Sequence, residues 1–471
     1  MDYDLNKPFF PQLKELLQKV PRLGIMVVNN VRSDYTNGSA ENKDCYLIFA
    51  ADYNEDCMYS RLLQRDKMCV DCAFLHESEL CYECIDCRNC FKCMFCEQCP
   101  SSSDLLFCYN MRDSSNCIFC TNGRHLSNAI LNIKYTKEEF EKKKAEILAD
   151  YESIQKAKKE FTELKKKTIV KYACQTKCNN VIGDYLHNCH QGVFLYDTYD
   201  AKNCSYMTDT ENPTDSWDCN NYYYKCEFGY NIMGAMQISK CKNCSFVFSS
   251  NELEYCETCW NLTSGIGCSA IRKGEYMILN KTYTKEEYNK IKEHIENELK
   301  KDETFGQYFP VSLAPYCYNE TLAQDYFPLT KEEALKRSFR WQDKTTGTYG
   351  KETIKNEDIP KTIEEISEDP SAPDQAVGRV DILKEILVCS DCKKNFRITS
   401  AELNFYKRMH IPLPHKDFEC RHKERMSKRN PRKLWHRKCM KSGCNNEFET
   451  AYSPERTEIV YCEQCYNQEV Y

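Results

Sequence analysis

The chain has 471 residues, room for about three domains, with 41% hydrophobic residues and a net charge of −6. A pI near 6.0 excludes a global field that drives binding to nucleic acid or membrane, so any such contact must be local. Glycine is scarce at 15 residues, which weighs against glycine-rich phosphate loops, whereas cysteine is abundant at 33.

The first residues, MDYDLNKPFF, lack the basic and apolar regions of a signal peptide. No apolar run reaches the roughly 18 residues of a membrane span. A reducing cytoplasmic setting is therefore expected, in which cysteines act as metal ligands, small buried hydrophobes or redox groups.

Residues 1–43 form an N-terminal cap built on an amphipathic helix. In PFFPQLKELLQKVP, Leu13, Leu16, Leu17 and Val20 fall at i, i+3, i+4 and i+7, and Pro21 stops the helix. Residues 44–133 hold 14 cysteines, many separated by 12, as in Cys45, Cys57, Cys69, Cys81 and Cys93. Residues 171–283 hold 11 more, with 15 recurring, as in Cys189, Cys204 and Cys219 or Cys226, Cys241 and Cys256. Fixed short periods point to stacked coils. Ten of these 25 cysteines follow Asp or Asn, residues that turn the chain and tolerate left-handed geometry. The reading is mainly β with helical caps: two tandem short-coil Cys-rich β-solenoids, each followed by a helix, then two C-terminal zinc ribbons.

The densest run, CYECIDCRNCFKCMFCEQC from Cys81 to Cys99, leaves three readings open. They are stacked structural cysteines, zinc or another metal, and an iron–sulfur cluster, for which the required three-residue gap is missing.

Each Cys-rich segment ends alike, in ILNIKYTKEEF and MILNKTYTKEEY, with a capping box of Thr136 and Glu139 or Thr284 and Glu287. A long amphipathic helix is expected over 134–170. Its 11 lysines between 134 and 167 face 8 acids, a balance that suits a solvated face. A helical segment covers 284–342, with a third capping box at Thr330 and Glu333. Residues 343–380 are polar and proline-bearing, a linker.

The first ribbon, 381–430, offers Cys389, Cys392 and Cys420. Its fourth ligand is open among Asp417, His415 and His422, with Asp417 favoured by its position three before Cys420. The alternative is a ribbon that has lost its metal. The second, 431–471, offers Cys439, Cys444, Cys462 and Cys465, two short-spaced pairs that suit a tetrahedral thiolate site; the plain alternative is four unrelated thiols. Between them RHKERMSKRNPRKLWHRKCMK carries ten Lys/Arg against one acid. Arg421, Lys423, Arg425, Lys428, Arg429, Arg432, Lys433, Trp435, Arg437 and Lys438 are the candidate contacts to RNA or DNA phosphates and bases; the alternative is a solvated connector.

The stretches NKDCYLIFAADYNEDCMYS, PYCYNETLAQDYFPLTKEEALKRSFRWQD, ILVCSDCKKNFRITSAELNFYKRMHIPLP and YSPERTEIVYCEQCYNQEVY resemble a family of Cys-rich, zinc-ribbon proteins abundant in uncultivated candidate-phyla bacteria. The likeness extends over nearly the whole chain and implies the architecture and two structural zinc sites. Some members carry a CoA-transferase label that no residue here supports. The chain departs from the family in lacking a zinc ribbon before the PFF helix and in having Asp417 where Cys-x-x-Cys is usual.

No GxxxxGK[ST], GxGxxG, HExxH or GxSxG motif occurs, and only nine histidines are available as bases. The expectation is a non-catalytic zinc-binding scaffold that grips RNA, DNA or a nucleoprotein through the basic C-terminal region, with a possible protein partner on the solenoids and no membrane or small-molecule substrate. The alternatives are a metal-storage or redox protein using the solenoid cysteines, and a self-assembling structural protein.

Overall fold

The computed structural model describes residues 1–223, 233–236, 245–344, 346–366 and 381–471. Cys226, Cys241 and Cys244 lie outside the described residues. The chain divides into two compact units, each made of segments distant in sequence.

One unit is Gly24–Val170, Lys344–Asn430 and Thr457–Tyr471. It opens with a parallel ladder of six strands from Val27–Val28 to Ile85–Arg88 and continues with strands at Ser103–Leu106, Ser115–Ile118 and Ser127–Ile130. Each residue pairs with the one 12 positions on, as in Tyr46↔Met58, Leu63↔Leu75 and Cys117↔Ala129. Isolated parallel bridges such as Tyr82↔Met94 and Phe91↔Ser103 carry the same register between the strands.

The backbone explains this period. From Glu41 to Leu131 every third residue has a left-handed φ of about +50°. Such a residue bends an extended chain sharply, and for any residue but glycine it costs on the order of 1 kcal/mol. Val, Ile and Thr, whose branched Cβ makes that geometry worst, never occupy one of these positions. The Asx residues that precede cysteines, among them Asp44, Asp56, Asp71, Asp86, Asn89 and Asn116, all do. The residue after each bend is buried from Asn42 to Gly123. All 14 cysteines of this segment fall there and share the core with Ile48, Leu63, Leu75, Leu105 and Met111. A second column is polar: Asn54 donates its side-chain amide to Asn42 Oδ1 at 2.9 Å, and its own Oδ1 accepts from Asp66 N at 2.8 Å.

The ladder ends in an antiparallel turn, Ile133↔Ile130, followed by two helices. These are α2 (Lys137–Leu148) and α3 (Tyr151–Lys166), counting α1 (Phe9–Lys19) as first. The expected single helix is broken at Asp150, whose carboxylate leaves helical geometry to cap α3 through Ser153 N at 2.7 Å. Phe161 of α3 meets Phe107, which stacks in turn on Phe95 with ring centres 4.5 Å apart. Part of the expected linker also packs here. Ile354, Ile359, Ile363 and Ile366 are buried, because four apolar side chains in 13 residues outweigh the polar composition around them.

The other unit is Met1–Leu23, Lys171–Asp343 and Pro431–Arg456. Its ladder runs through eight strands from Gln175–Thr176 to Glu257–Trp260, beside a four-stranded sheet from Asn251–Glu254 to Lys281–Thr282. Its step is again 12, as in Leu195↔Met207 and Leu253↔Gly265, not the 15 expected. Fifteen is one 12-residue step plus one bend interval of three, so it links cysteines on adjacent columns. Three strand pairs depart from 12. Gln175↔Leu186 and Asn179↔His190 are one short, ahead of an irregularity at Ile182/Gly183, and Asn220↔Met233 is one long. Gly183 has φ +155°, and a Cβ there would sit 1.9 Å from the Leu195 carbonyl oxygen, so only glycine fits. Helix α1 lays Phe9, Leu13, Leu16 and Leu17 against Tyr255, Ile266, Ile278 and Leu279. Helices α4 (Lys285–Lys301), α5 (Ala323–Tyr326) and α6 (Lys331–Lys336) follow, with the expected capping boxes formed at Thr284/Glu287 and Thr330/Glu333, as at Thr136/Glu139. No helix among the described residues is long and apolar enough to cross a membrane.

Candidate metal centres

Among the described residues, two groups of four side chains bring their donor atoms within 4.8 Å of one another: Cys389, Cys392, Asp417 and Cys420, and Cys439, Cys444, Cys462 and Cys465. These are the eight residues expected from sequence.

In the first group, Cys389 and Cys392 sit on the tight turn between Leu387–Val388 and Asn395–Phe396. Lys393 supplies the left-handed residue, at φ 65°, and Cys389 N donates to Lys394 O at 2.9 Å. The other two residues open a helix, α8 (Phe418–Ser427), which follows α7 (Ser400–Met409). Asp417 is the N-cap of α8. Its Oδ1 accepts from Glu419 N at 2.9 Å and Cys420 N at 3.2 Å, and its Oδ2 lies 3.0 Å from Cys392 Sγ. One oxygen secures the helix and the other faces the thiols, so a single carboxylate does the work of cap and donor. Burial opposes its ionisation, but hydrogen bonds from Cys389 and Cys392 hold the carboxyl below the usual range. Of the other candidate ligands, His415 stacks on Tyr151 with ring centres 3.6 Å apart, and His422 is buried on α8; neither belongs to the group.

In the second group, Cys439 and Cys444 lie on the turn between Trp435–Lys438 and Glu447–Thr450. Cys462 is the N-cap of α9 (Glu463–Val470), and Cys465 is in its first turn. Both centres therefore join one hairpin knuckle to one helix N-terminus, where a ribbon would place a second hairpin. The helix end suits the chemistry, since its free N–H groups and positive dipole favour an anionic ligand.

The basic run is organised differently from the expectation. Arg421, Arg425, Arg429 and Arg432 are buried and face carboxylates of their own chain. Arg425 Nη1 donates to Asp71 Oδ1 at 2.8 Å, and Arg421 Nη1 lies 3.3 Å from both Asp71 Oδ2 and Glu402 Oε1. Arg429 makes a two-pronged pair with Asp86, at 2.9 and 3.0 Å, and stacks 3.5 Å over Phe74. In the other unit, Arg432 contacts Asp197 at 2.8 Å, Asp209 and the face of Tyr326. All four aspartates occupy left-handed bends of the ladders. These arginines are thus consumed internally and are not available to phosphates, and the run is not a solvated connector either. Sequence reading missed their partners, although the spacing of Arg421, Arg425 and Arg429 by four marks one helical face. Arg437 donates to the Tyr452 and Ser453 carbonyls at 3.4 and 3.1 Å, and Lys428 is half-buried. Lys423, Lys433 and Lys438 are exposed, and Lys433 Nζ lies 5.0 Å from the half-buried Trp435 ring.

No protein-family model and no curated protein matches the chain. Among solved structures it is similar to a chain of Desulfovibrio desulfuricans G20 named, by assignment only, an acetyltransferase. That match has 8% identity, covers 57% of this chain and 78% of the other, and has a TM-score of 0.11, which carries no argument about fold or activity.

Proposed function

We propose that the chain is a non-catalytic scaffold stabilised by two structural zinc ions, in which each parallel ladder is wound as a short-coil β-solenoid. The observation that carries this reading is the pair of four-donor groups, one of four thiols and one of three thiols with Asp417. Four-donor sets with three or four soft thiolates favour tetrahedral zinc over oxygen-seeking cations. The solenoid winding is supported by the 12-residue register with a bend at every third residue, which gives four bends per coil. The scaffold role is supported by the arginines, whose charge is spent on holding α8 to carboxylates of its own unit.

Elemental analysis of anaerobically purified protein tests the reading. Two zinc ions per chain are expected, one for each group. Protein that is folded and free of zinc would sink it.

Binding of RNA or DNA is a second reading, favoured by Lys433 beside Trp435 and by exposed Lys423 and Lys438. It predicts salt-sensitive binding of single-stranded RNA in fluorescence anisotropy, weakened by combined Lys433→Glu and Lys438→Glu. Affinity indifferent to those changes would count against it.

A further inference from the structure

Every third residue from Cys81 to Cys99 is cysteine, and each is at most 3% exposed. The run fills all four inward positions of one coil and three of the next. In register, Cys84 stacks between Cys72 and Cys96, 12 residues before and after it, and its Sγ lies 3.5 Å from Tyr82 O and 3.2 Å from Cys93 O.

Space alone does not require this. Inward positions of the same ladder hold Ile48, Ser60, Leu63, Leu75 and Leu105, all buried. Seven cysteines in succession at positions that accept larger aliphatic residues therefore call for a chemical reason. Six of them are surrounded by Cys, Leu, Ile, Ala and Met, while Cys90 continues the polar column between the buried Ser78 and Ser102.

We infer that this two-coil thiol block is a binding site for a soft monovalent cation, Cu(I) by chemical class. Soft thiolates select Cu(I) and zinc over harder ions. Charge decides between those two. A Zn²⁺ ion held by four thiolates leaves a net charge of −2, and burying an uncompensated charge is costly. A Cu(I) ion replaces the proton of one thiol and shares bridging sulfurs with its neighbours. The proton leaves to solvent, and the core stays neutral however many ions enter. With the thiols this deeply buried, loading accompanies folding. The site is separate from the two terminal centres, whose eight ligands it does not use, so it can fail without touching the proposed zinc scaffold.

The test is the full chain produced in copper-supplemented and copper-free cultures, purified anaerobically and analysed for copper, zinc and iron. Several copper ions per chain, with zinc at its copper-free level, are expected. Cys84→Ser keeps the fold, because serine already occupies the same column at Ser60, and lowers the copper content. Joint replacement of Cys84, Cys87, Cys96 and Cys99 by serine abolishes it, while Cys45→Ser and Cys57→Ser, outside the block, leave most of it. Circular dichroism monitors folding throughout. Copper absent from the wild type, retained undiminished by Cys84→Ser, or gained only as zinc is lost overturns the inference. Iron with acid-labile sulfide in the copper-free protein overturns it as well.

Discussion

Arg425 donates to Asp71 at 2.8 Å, with the two side chains 1% and 0% exposed and 354 residues apart in sequence. Removing one partner of such a pair strands a charge in the interior. Asp71→Asn or Arg425→Met should therefore cost about 3–5 kcal/mol, measured by urea denaturation of the metal-loaded protein. Combining Asp71→Leu with Arg425→Met should cost less than the sum. A single-variant cost below about 1 kcal/mol would mean the pair is solvated and does not anchor α8.

Asp417 has two duties that mutation can separate. Asp417→Asn keeps a capping oxygen for Glu419 N and Cys420 N but is a poorer metal donor, so zinc affinity should fall with α8 intact. Asp417→Ala should lose affinity too, with about 1 kcal/mol of helix stability in addition. Asp417→Cys restores four thiols and should bind zinc at least as tightly as the wild type. Competition with a chromophoric chelator ranks the variants, and unchanged affinity in Asp417→Asn would remove the carboxylate from the ligand set.

Acid should loosen α3 from its ladder. Burial alone would raise the Glu83 carboxyl, but Lys158 Nζ, at 2.9 and 3.0 Å from its two oxygens, holds it at about 2. An unfolded glutamate titrates near about 4.3. The folded group is the stronger acid, so its contribution, at most about 3 kcal/mol, is complete above that value and is lost as pH falls towards about 2. Glu83→Gln should flatten this limb of the stability curve. Parallel acid curves for the wild type and Glu83→Gln would show that the pair contributes nothing.

The left-handed bends also make a prediction. Glu77 is exposed with φ 51°. Glu77→Gly should be neutral or slightly stabilising, whereas Glu77→Val should cost on the order of 1–2 kcal/mol, although neither removes a buried contact. Equal thermal midpoints for the two would refute the backbone argument.

Features that depend on a few neighbouring residues were legible in the sequence. The three capping boxes, the Asx bends before cysteines and the eight clustered donors all fall within short windows. The partners of Arg425 and Arg432 are 354 and 235 residues away, and no local pattern points to Asp71 or Asp197. For the same reason a cationic run that suggested an outer surface proved to have four of its arginines in the interior. The second ladder's period was misread because its cysteines alternate between columns. The helix starts at Asp417 and Cys462 were obscured by the expectation that paired cysteines lie on hairpins.

The bend at every third residue gives the ladder something like a reading frame. From Cys45 to Cys120 the frame never slips, and every cysteine stays inside. A single-residue insertion there would turn every later cysteine towards solvent and bring its charged neighbours inward. The second ladder shows where slips are tolerated. The short step near Gly183 and the long step after Asn220 each shift the phase by one residue, and the cysteines after each slip have moved with it: Cys178 and Cys189 differ in phase by one, as do Cys219 and Cys256. Length variation in these ladders is therefore restricted to whole 12-residue steps, or to single residues at such phase-shifting steps.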